Sequence, residues 1–339
     1  MNRLVYKIDK TGNLNNLKLI EENLNLPGDN EVTVEVKSIG LNFADIFAML
    51  GLYSATPKTP FIPGLEYSGI IIQKGKNADG FEIGDKVMGL TRFGAYSSYL
   101  NVNSGYVFPL PHSWTFEEGA AFLVNGLTAY YALVELGNIK LNQTILIHSA
   151  AGGVGIYANR IAKKFNAYTI GTIGSNVKID LCKQEGYDDV IVRGKKFMEQ
   201  LKEKLNGRNL DIILECIGGR IFKDSFALLS PQGRLITYGS ANFNSKSTNI
   251  NYLKLIFIYL SRPKIDPLKM INTNRSVMGF NLIWLWEQKD QLSQMIDKLI
   301  NLNLEKPLIG KTFSLNEFHS AVQFLQSGKS VGKIVVKVK

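Results

Sequence analysis

Residues 150–155 read Ala-Ala-Gly-Gly-Val-Gly and separate two kinds of periodicity. Before them, Thr144 to His148 is β-branched and apolar, as a buried parallel strand should be. After them, apolar side chains fall at Val154, Ala158, Ile161, Ala162 and Phe165, which is helical spacing. A strand, a tight glycine turn and a helix N-terminus can cradle a pyrophosphate. Backbone N–H groups point outward there and the helix dipole favours an anion. The candidate cradle is Ala150, Gly152, Gly153, Val154 and Gly155. Its first glycine position holds Ala150, and an ordinary glycine turn would satisfy the same pattern.

A protein that binds NAD in this way carries an Asp or Glu roughly 20 residues past the turn, for the ribose hydroxyls. From Asn166 to Ile179 there is no acid. Gly174, Ser175 and Lys178 stand there instead, and Arg193 comes after the next strand. A hydroxyl and cations suit a 2′-phosphate, which a carboxylate would repel. NADPH is therefore the expected cofactor, with a solvated helix lysine as the alternative for Lys178. Gly218, Gly239 and Ser240 follow later strands, where the ligand crevice of such a sheet lies. Glycine there allows close approach of a ligand, although a sharp turn uses it too.

Such residues need a parallel sheet to hold them. Strand-like segments at 168–172, 190–192, 211–214, 235–238 and 277–280 alternate with helical ones after the opening strand. That is the wound arrangement of a dinucleotide-binding domain. The chain before it is β-rich. Val32, Val34 and Val36 alternate with Thr33 and Glu35, and segments 70–72, 86–90 and 96–102 are further strand candidates among many glycines and prolines. This spacing suggests a compact, barrel-like sheet. Beyond residue 282, Leu285, Leu292, Met295, Ile296, Leu299 and Leu302 mark an amphipathic helix. Another helix is expected at 316–326 and a last strand at 332–336. The fold class is α/β.

A chain of 339 residues is longer than a usual single domain. Its 45% hydrophobic and 20% charged residues exclude a disordered chain. The N-terminus lacks the apolar region of a signal peptide, and no apolar run approaches the roughly 20 residues that span a bilayer. A cytoplasmic location is expected. Cys182 and Cys216 offer neither a disulfide framework nor zinc-type spacing. The net charge of +10 is dispersed among lysines, so nucleic acid is not an expected partner.

Four motifs then occur in order: Gly40-Leu41-Asn42-Phe43-Ala44-Asp45, Gly51-Leu52-Tyr53, Pro63-Gly64-Leu65-Glu66-Tyr67-Ser68-Gly69 and Gly84-Asp85-Lys86-Val87. Together they resemble the GroES-like catalytic domain of the medium-chain dehydrogenase/reductase superfamily. Asn142-Gln143, Leu146, Ala150-Ala151-Gly152-Gly153, Gly155 and Lys163 are similar to the signature of its quinone oxidoreductase branch. Arg160 departs from that signature, which usually has glutamine there. Phe122-Leu123-Val124-Asn125, Tyr238-Gly239-Ser240-Ala241-Asn242 and Asn274-Arg275-Ser276-Val277-Met278-Gly279-Phe280 resemble the vesicle-amine-transport-type proteins of the branch.

The resemblance implies a split catalytic domain, residues 1–124 and 282–339, with a Rossmann NADPH-binding domain at 125–281 between the parts. It implies nicotinamide in the cleft between them and a homodimer formed through the edge of the cofactor sheet. Asn42 and Asp45 would lie on the segment facing the nicotinamide, with Thr128, Phe280 and Lys333 near the cofactor. For Thr128 a plain helix-start hydroxyl is an equal alternative. Tyr53 sits in a Gly-x-Tyr like that of the enoyl-thioester reductases, which carry a catalytic tyrosine there. A loop aromatic at the domain edge is the other reading of Tyr53, and an amide bonded to its own turn is that of Asn42. Zinc relatives place cysteine where this chain has Asn42 and histidine where it has Leu65. Independently, His112, His148 and His319 are scattered, and no three or four ligands cluster. No metal is expected, and His148 reads as a satisfied core histidine.

Charge developing on a carbonyl oxygen would then be met by hydroxyl and amide donors, with Tyr53 or a water as the acid. The expected activity is NADPH-dependent reduction of quinones, enones or enoyl substrates. The alternative is a cofactor-binding lipid or membrane-surface protein with little turnover. It draws on the apolar run at 252–260 with Arg262 and Lys264 behind it. That run is expected to pack on the protein's own surface. A membrane interface, a lipophilic cleft and a dimer contact are its other readings.

Overall fold

The computed structural model describes residues 1–244 and 247–338. The chain opens with a hairpin of β1 (Asn2–Ile8) and β2 (Leu17–Asn23). It continues into β3 (Glu31–Leu41), β4 (Glu66–Lys74), β5 (Lys86–Leu90), β6 (Tyr99–Asn103) and β7 (Val107–Pro109). The alternation at Val32, Val34 and Val36 turns these side chains into the core, where all three are buried.

After Leu123 the pattern changes. β8 (Thr144–His148), β9 (Tyr168–Ile173), β10 (Asp189–Val192), β11 (Ile212–Glu215), β12 (Arg234–Thr237) and β13 (Ser276–Gly279) are all parallel. Their order across the sheet is β10-β9-β8-β11-β12-β13, so the winding reverses between β8 and β11. Ligands bind at that switch, beyond the strands' carboxyl ends. β8 is buried on both faces, as its unbroken apolar run requires.

The last strands, β14 (Ile309–Ser314) and β15 (Lys333–Lys337), return to the first unit. β15 pairs antiparallel with β3, and the seven-stranded sheet reads β14-β15-β3-β4-β5-β7 with β6 also on β3. This return carries Lys333 to within reach of residues that precede it by almost the whole chain. The helical stretch Phe116–Leu136 is apolar and, at 21 residues, long enough to cross a bilayer, contrary to the expectation from apolar runs. Most of it is buried as a core helix between the two units.

Candidate active site

One cavity of about 1200 Å³ lies between the two sheets. At one end is the glycine turn, which opens the helix Gly153–Lys164 with Gly152 as N-cap. The N–H groups of Gly153, Val154 and Gly155 open this helix and have no carbonyl one turn back to bond. A side chain is barred at two of these positions. A Cβ on Gly153 would meet the Asn125 amide nitrogen at 2.2 Å, and one on Gly155 the Ser149 carbonyl at 2.5 Å. Gly152, Gly153, Val154 and Gly155 all line the cavity. Ala150 does not. It is fully buried, its N–H donates to the Thr172 carbonyl, and its methyl packs on Gly171, so it shapes the turn from behind.

Beyond β9, Gly174, Lys178 and Arg193 also reach the cavity, whereas Ser175 is exposed and off its wall. Lys178 is not a free helix lysine. Its ammonium donates to the carbonyls of Gly328 at 2.8 Å and Ser330 at 2.7 Å, which leaves one N–H for another acceptor. Arg193 donates to the Thr172 carbonyl at 3.0 Å and hydroxyl at 3.1 Å. Burial and the neighbouring Arg193 lower the Lys178 ammonium below the usual lysine range. Gly239 and Ser240 line the cavity, while Gly218 does not. The Gly218 N–H donates to Glu215 at 2.7 Å, and its φ of +83° keeps a turn that packs on Asn242. His148 is buried between the hydroxyls of Thr172 at 2.7 Å and Ser225 at 3.0 Å, and burial brings it down to about 3. Arg160, about two turns further along this helix, clamps Glu185 with two 2.9 Å bonds.

At the other end, Asn42 precedes the helix Phe43–Met49. Its Oδ1 accepts from the Lys333 ammonium at 2.6 Å, and its amide nitrogen donates to Glu66 at 3.1 Å. Lys333 also bonds Glu66 directly, and the second oxygen of Glu66 accepts the Val124 N–H at 3.0 Å. All three residues are buried, yet Asn42 and Lys333 still reach the cavity wall. Glu66 was not singled out from the sequence. In the sequence it stands within the Pro63–Gly69 motif, at the head of a strand, with nothing there to link it to Lys333.

Asp45 is placed differently from the expectation. It is fully buried and absent from the cavity wall, and its Oδ2 accepts from the Asn42 N–H at 2.8 Å and the Tyr96 hydroxyl at 3.0 Å. Its carboxylate closes the first turn of the helix and fixes Asn42 from behind. Burial pushes its carboxyl up to about 7. The unfolded-state value is near 3.9, so the fold favours the neutral acid. Its stabilising contribution is full below that value and is lost as pH rises through about 7. Urea denaturation of Asp45→Asn should therefore show less loss of stability between mildly acidic and mildly basic pH than the parent shows.

Tyr53 and Asn281 face each other across the cleft. The Tyr53 hydroxyl donates to Asn281 Oδ1 at 2.6 Å, and burial pushes the phenol up to about 12. Phe280, which precedes Asn281, packs edge-on against Tyr131 and near Tyr238. Thr128 lines the same end, with its hydroxyl donating back to the Val124 carbonyl at 2.6 Å. The helix Tyr252–Leu260 overturns the expectation that this run packs on the protein's own surface. Leu253 is 82% exposed and Phe257 72%, while Leu255, Ile256, Tyr259 and Leu260 border the cavity.

Comparison with known proteins matches this layout. Residues 28–112 match the alcohol dehydrogenase GroES-like domain and residues 153–299 the zinc-binding dehydrogenase family. The synaptic vesicle membrane protein VAT-1 homolog of Homo sapiens is 32% identical over 314 residues, covering 91% of this chain and 79% of the human protein. The chain belongs to the medium-chain dehydrogenase/reductase superfamily. The Danio rerio VAT-1 homolog is 35% identical over 310 residues, 90% of this chain but only 64% of its own length. Escherichia coli quinone oxidoreductase, solved with NADPH, superposes at a TM-score of 0.85 with 26% identity and 100% coverage of both chains.

Two groups implied by membership in this superfamily can be tested against the residues. A dinucleotide fits: the turn bars a side chain at Gly153 and Gly155 and opens onto the cavity. A catalytic zinc does not. The ligand positions hold an amide already bonded at both ends and the leucine Leu65, with the Lys333 ammonium beside them. An ammonium and an apolar side chain are the wrong chemistry for a divalent cation.

Proposed function

We propose that the protein is an NADPH-dependent, zinc-independent reductase of electron-poor conjugated carbonyl compounds: quinones, enones or enoyl thioesters. The observation that carries this reading is the single cavity that joins the phosphate-type turn to the Tyr53–Asn281 pair. Gly152, Gly153, Val154 and Gly155 would hold the pyrophosphate, with Lys178 and Arg193 on the side of a 2′-phosphate and Gly239, Ser240 and Phe280 towards the nicotinamide. When bound, NADPH supplies hydride. Tyr53, protonated throughout the neutral range, donates a hydrogen bond to the oxygen on which charge develops and can release its proton there. The apolar wall, from Phe47 and Leu52 to Tyr259 and Leu260, suits a lipophilic substrate.

A panel of quinones, enones and enoyl thioesters, followed by NADPH consumption, tests the reading. Turnover of none of them overturns it. Replacing Lys178 by Ala removes one charge-assisted contact, so NADPH affinity should fall on the order of 10- to 100-fold. NADH affinity should change little in the same titration.

A second reading has its own observation. Leu253, Phe257, Leu268 and Ile271 are all exposed on two successive helices, and Lys254, Arg262, Lys264 and Lys269 lie near them in sequence. This composition suits an anionic membrane surface. Flotation with phosphatidylserine vesicles that is lost in a Leu253→Ser/Phe257→Ser variant, without NADPH consumption on the panel, would favour it.

A further inference from the structure

Tyr53 uses only half of what Asn281 can offer. The side-chain oxygen of Asn281 takes the phenol hydrogen at 2.6 Å, while its amide nitrogen bonds no other group among the described residues. Nor is that nitrogen sealed in the core: Asn281 is half-buried and stands on the cavity wall. Its backbone is fixed from both sides. It lies two residues past the end of β13, after Phe280, whose N–H donates to the Thr237 carbonyl at 3.1 Å, and its own carbonyl accepts the Trp284 N–H at 3.1 Å at the start of the turn Leu282–Leu285. The structure thus presents an amide N–H pair on a backbone held from both sides, beside the Tyr53 hydroxyl.

We propose that Asn281 is a second donor to the substrate's carbonyl oxygen, its amide N–H acting beside the Tyr53 O–H. This rests on the reductase reading given above. In that reaction hydride from a reduced nicotinamide forms a C–H bond at the β-carbon. The alkene electron pair shifts toward the carbonyl, and its oxygen takes the negative charge until a proton arrives. A carbonyl oxygen has two lone pairs and accepts from two donors, which strengthen together as that charge grows. The two side chains divide the work by chemistry. A phenol can surrender its proton, whereas an amide cannot, so Asn281 stabilises the oxyanion and Tyr53 can also neutralise it. The phenol reaches a substrate oxygen by turning about its C–O bond away from Asn281. The pair would select substrates whose double bond is conjugated to a carbonyl and reject isolated alkenes.

The test uses benzalacetone bound to the full chain with NADP⁺, read by infrared difference spectroscopy. The carbonyl stretch should lie lower in the parent than in Asn281→Ala. In Asn281→Asp, which keeps the shape and the acceptor for Tyr53 but loses the N–H, it should again lie higher than in the parent. A frequency equal to the parent's in both variants overturns the proposal, and so does an unshifted carbonyl in the parent. In turnover, Asn281→Ala should lose on the order of 100-fold in kcat. The loss should persist when the substitution is added to Tyr53→Phe. A double variant no slower than Tyr53→Phe alone would mean that Asn281 acts only through the tyrosine, and the donor role would fall. If the infrared shifts appear as described but no NADPH is consumed, the reductase reading fails while the carbonyl site stands.

Discussion

Lys333→Met should be among the most destabilising single substitutions in this chain, at about 3–5 kcal/mol. Glu66 is fully buried, and Lys333 is its only cationic partner among the described residues. Removing the ammonium leaves a carboxylate in the core with the Asn42 amide and the Val124 N–H as its remaining donors. It also frees the Asn42 oxygen, and with it the start of the helix that forms one wall of the cavity. Urea denaturation without any cofactor isolates this effect from binding. Pairing the change with Glu66→Gln removes the stranded charge and should recover much of the loss. If the single and double variants are equally unstable, the buried pair is not the cause.

Tyr53→Phe should lower kcat by about 100- to 10,000-fold, the range of a positioned general acid, and leave NADPH affinity within a few-fold of the parent. The ring's edge contact with Phe93 survives the change, so the loop keeps its packing and only the hydroxyl is lost. Because burial holds the phenol near 12, the parent's rate should show no ionisation of this group between acid and neutral pH. Unchanged turnover would assign the proton to water.

The six parallel strands and several of the first sheet's could be read in the sequence because each is a local pattern, whereas the opening hairpin, β7, β14 and the order across each sheet could not. β5, for example, coincides with the segment expected at 86–90, and the six parallel strands fall within a residue or two of their expected positions. The turn at 152–155 could be read for the same reason. Other features depend on contacts between distant parts of the chain. Asn42, Glu66 and Lys333 meet only because β15 returns to β3, which brings together residues 267 positions apart. Asn281 could not be linked to Tyr53 without knowing how the cleft closes. Asp45 misled because its motif marks the right segment, while its side chain turns inward to cap the helix it begins. The run at 252–260 misled in the opposite way. Its apolarity reads as core, yet no element among the described residues covers its outer face.

Turnover with NADPH deuterated at the transferable nicotinamide position tests the central claim most directly. With benzalacetone, the reading predicts saturated ketone product carrying deuterium at the β-carbon and solvent hydrogen at the α-carbon. Product without label at the β-carbon, or no product from benzalacetone and from a quinone and an enoyl thioester run in parallel, would contradict it.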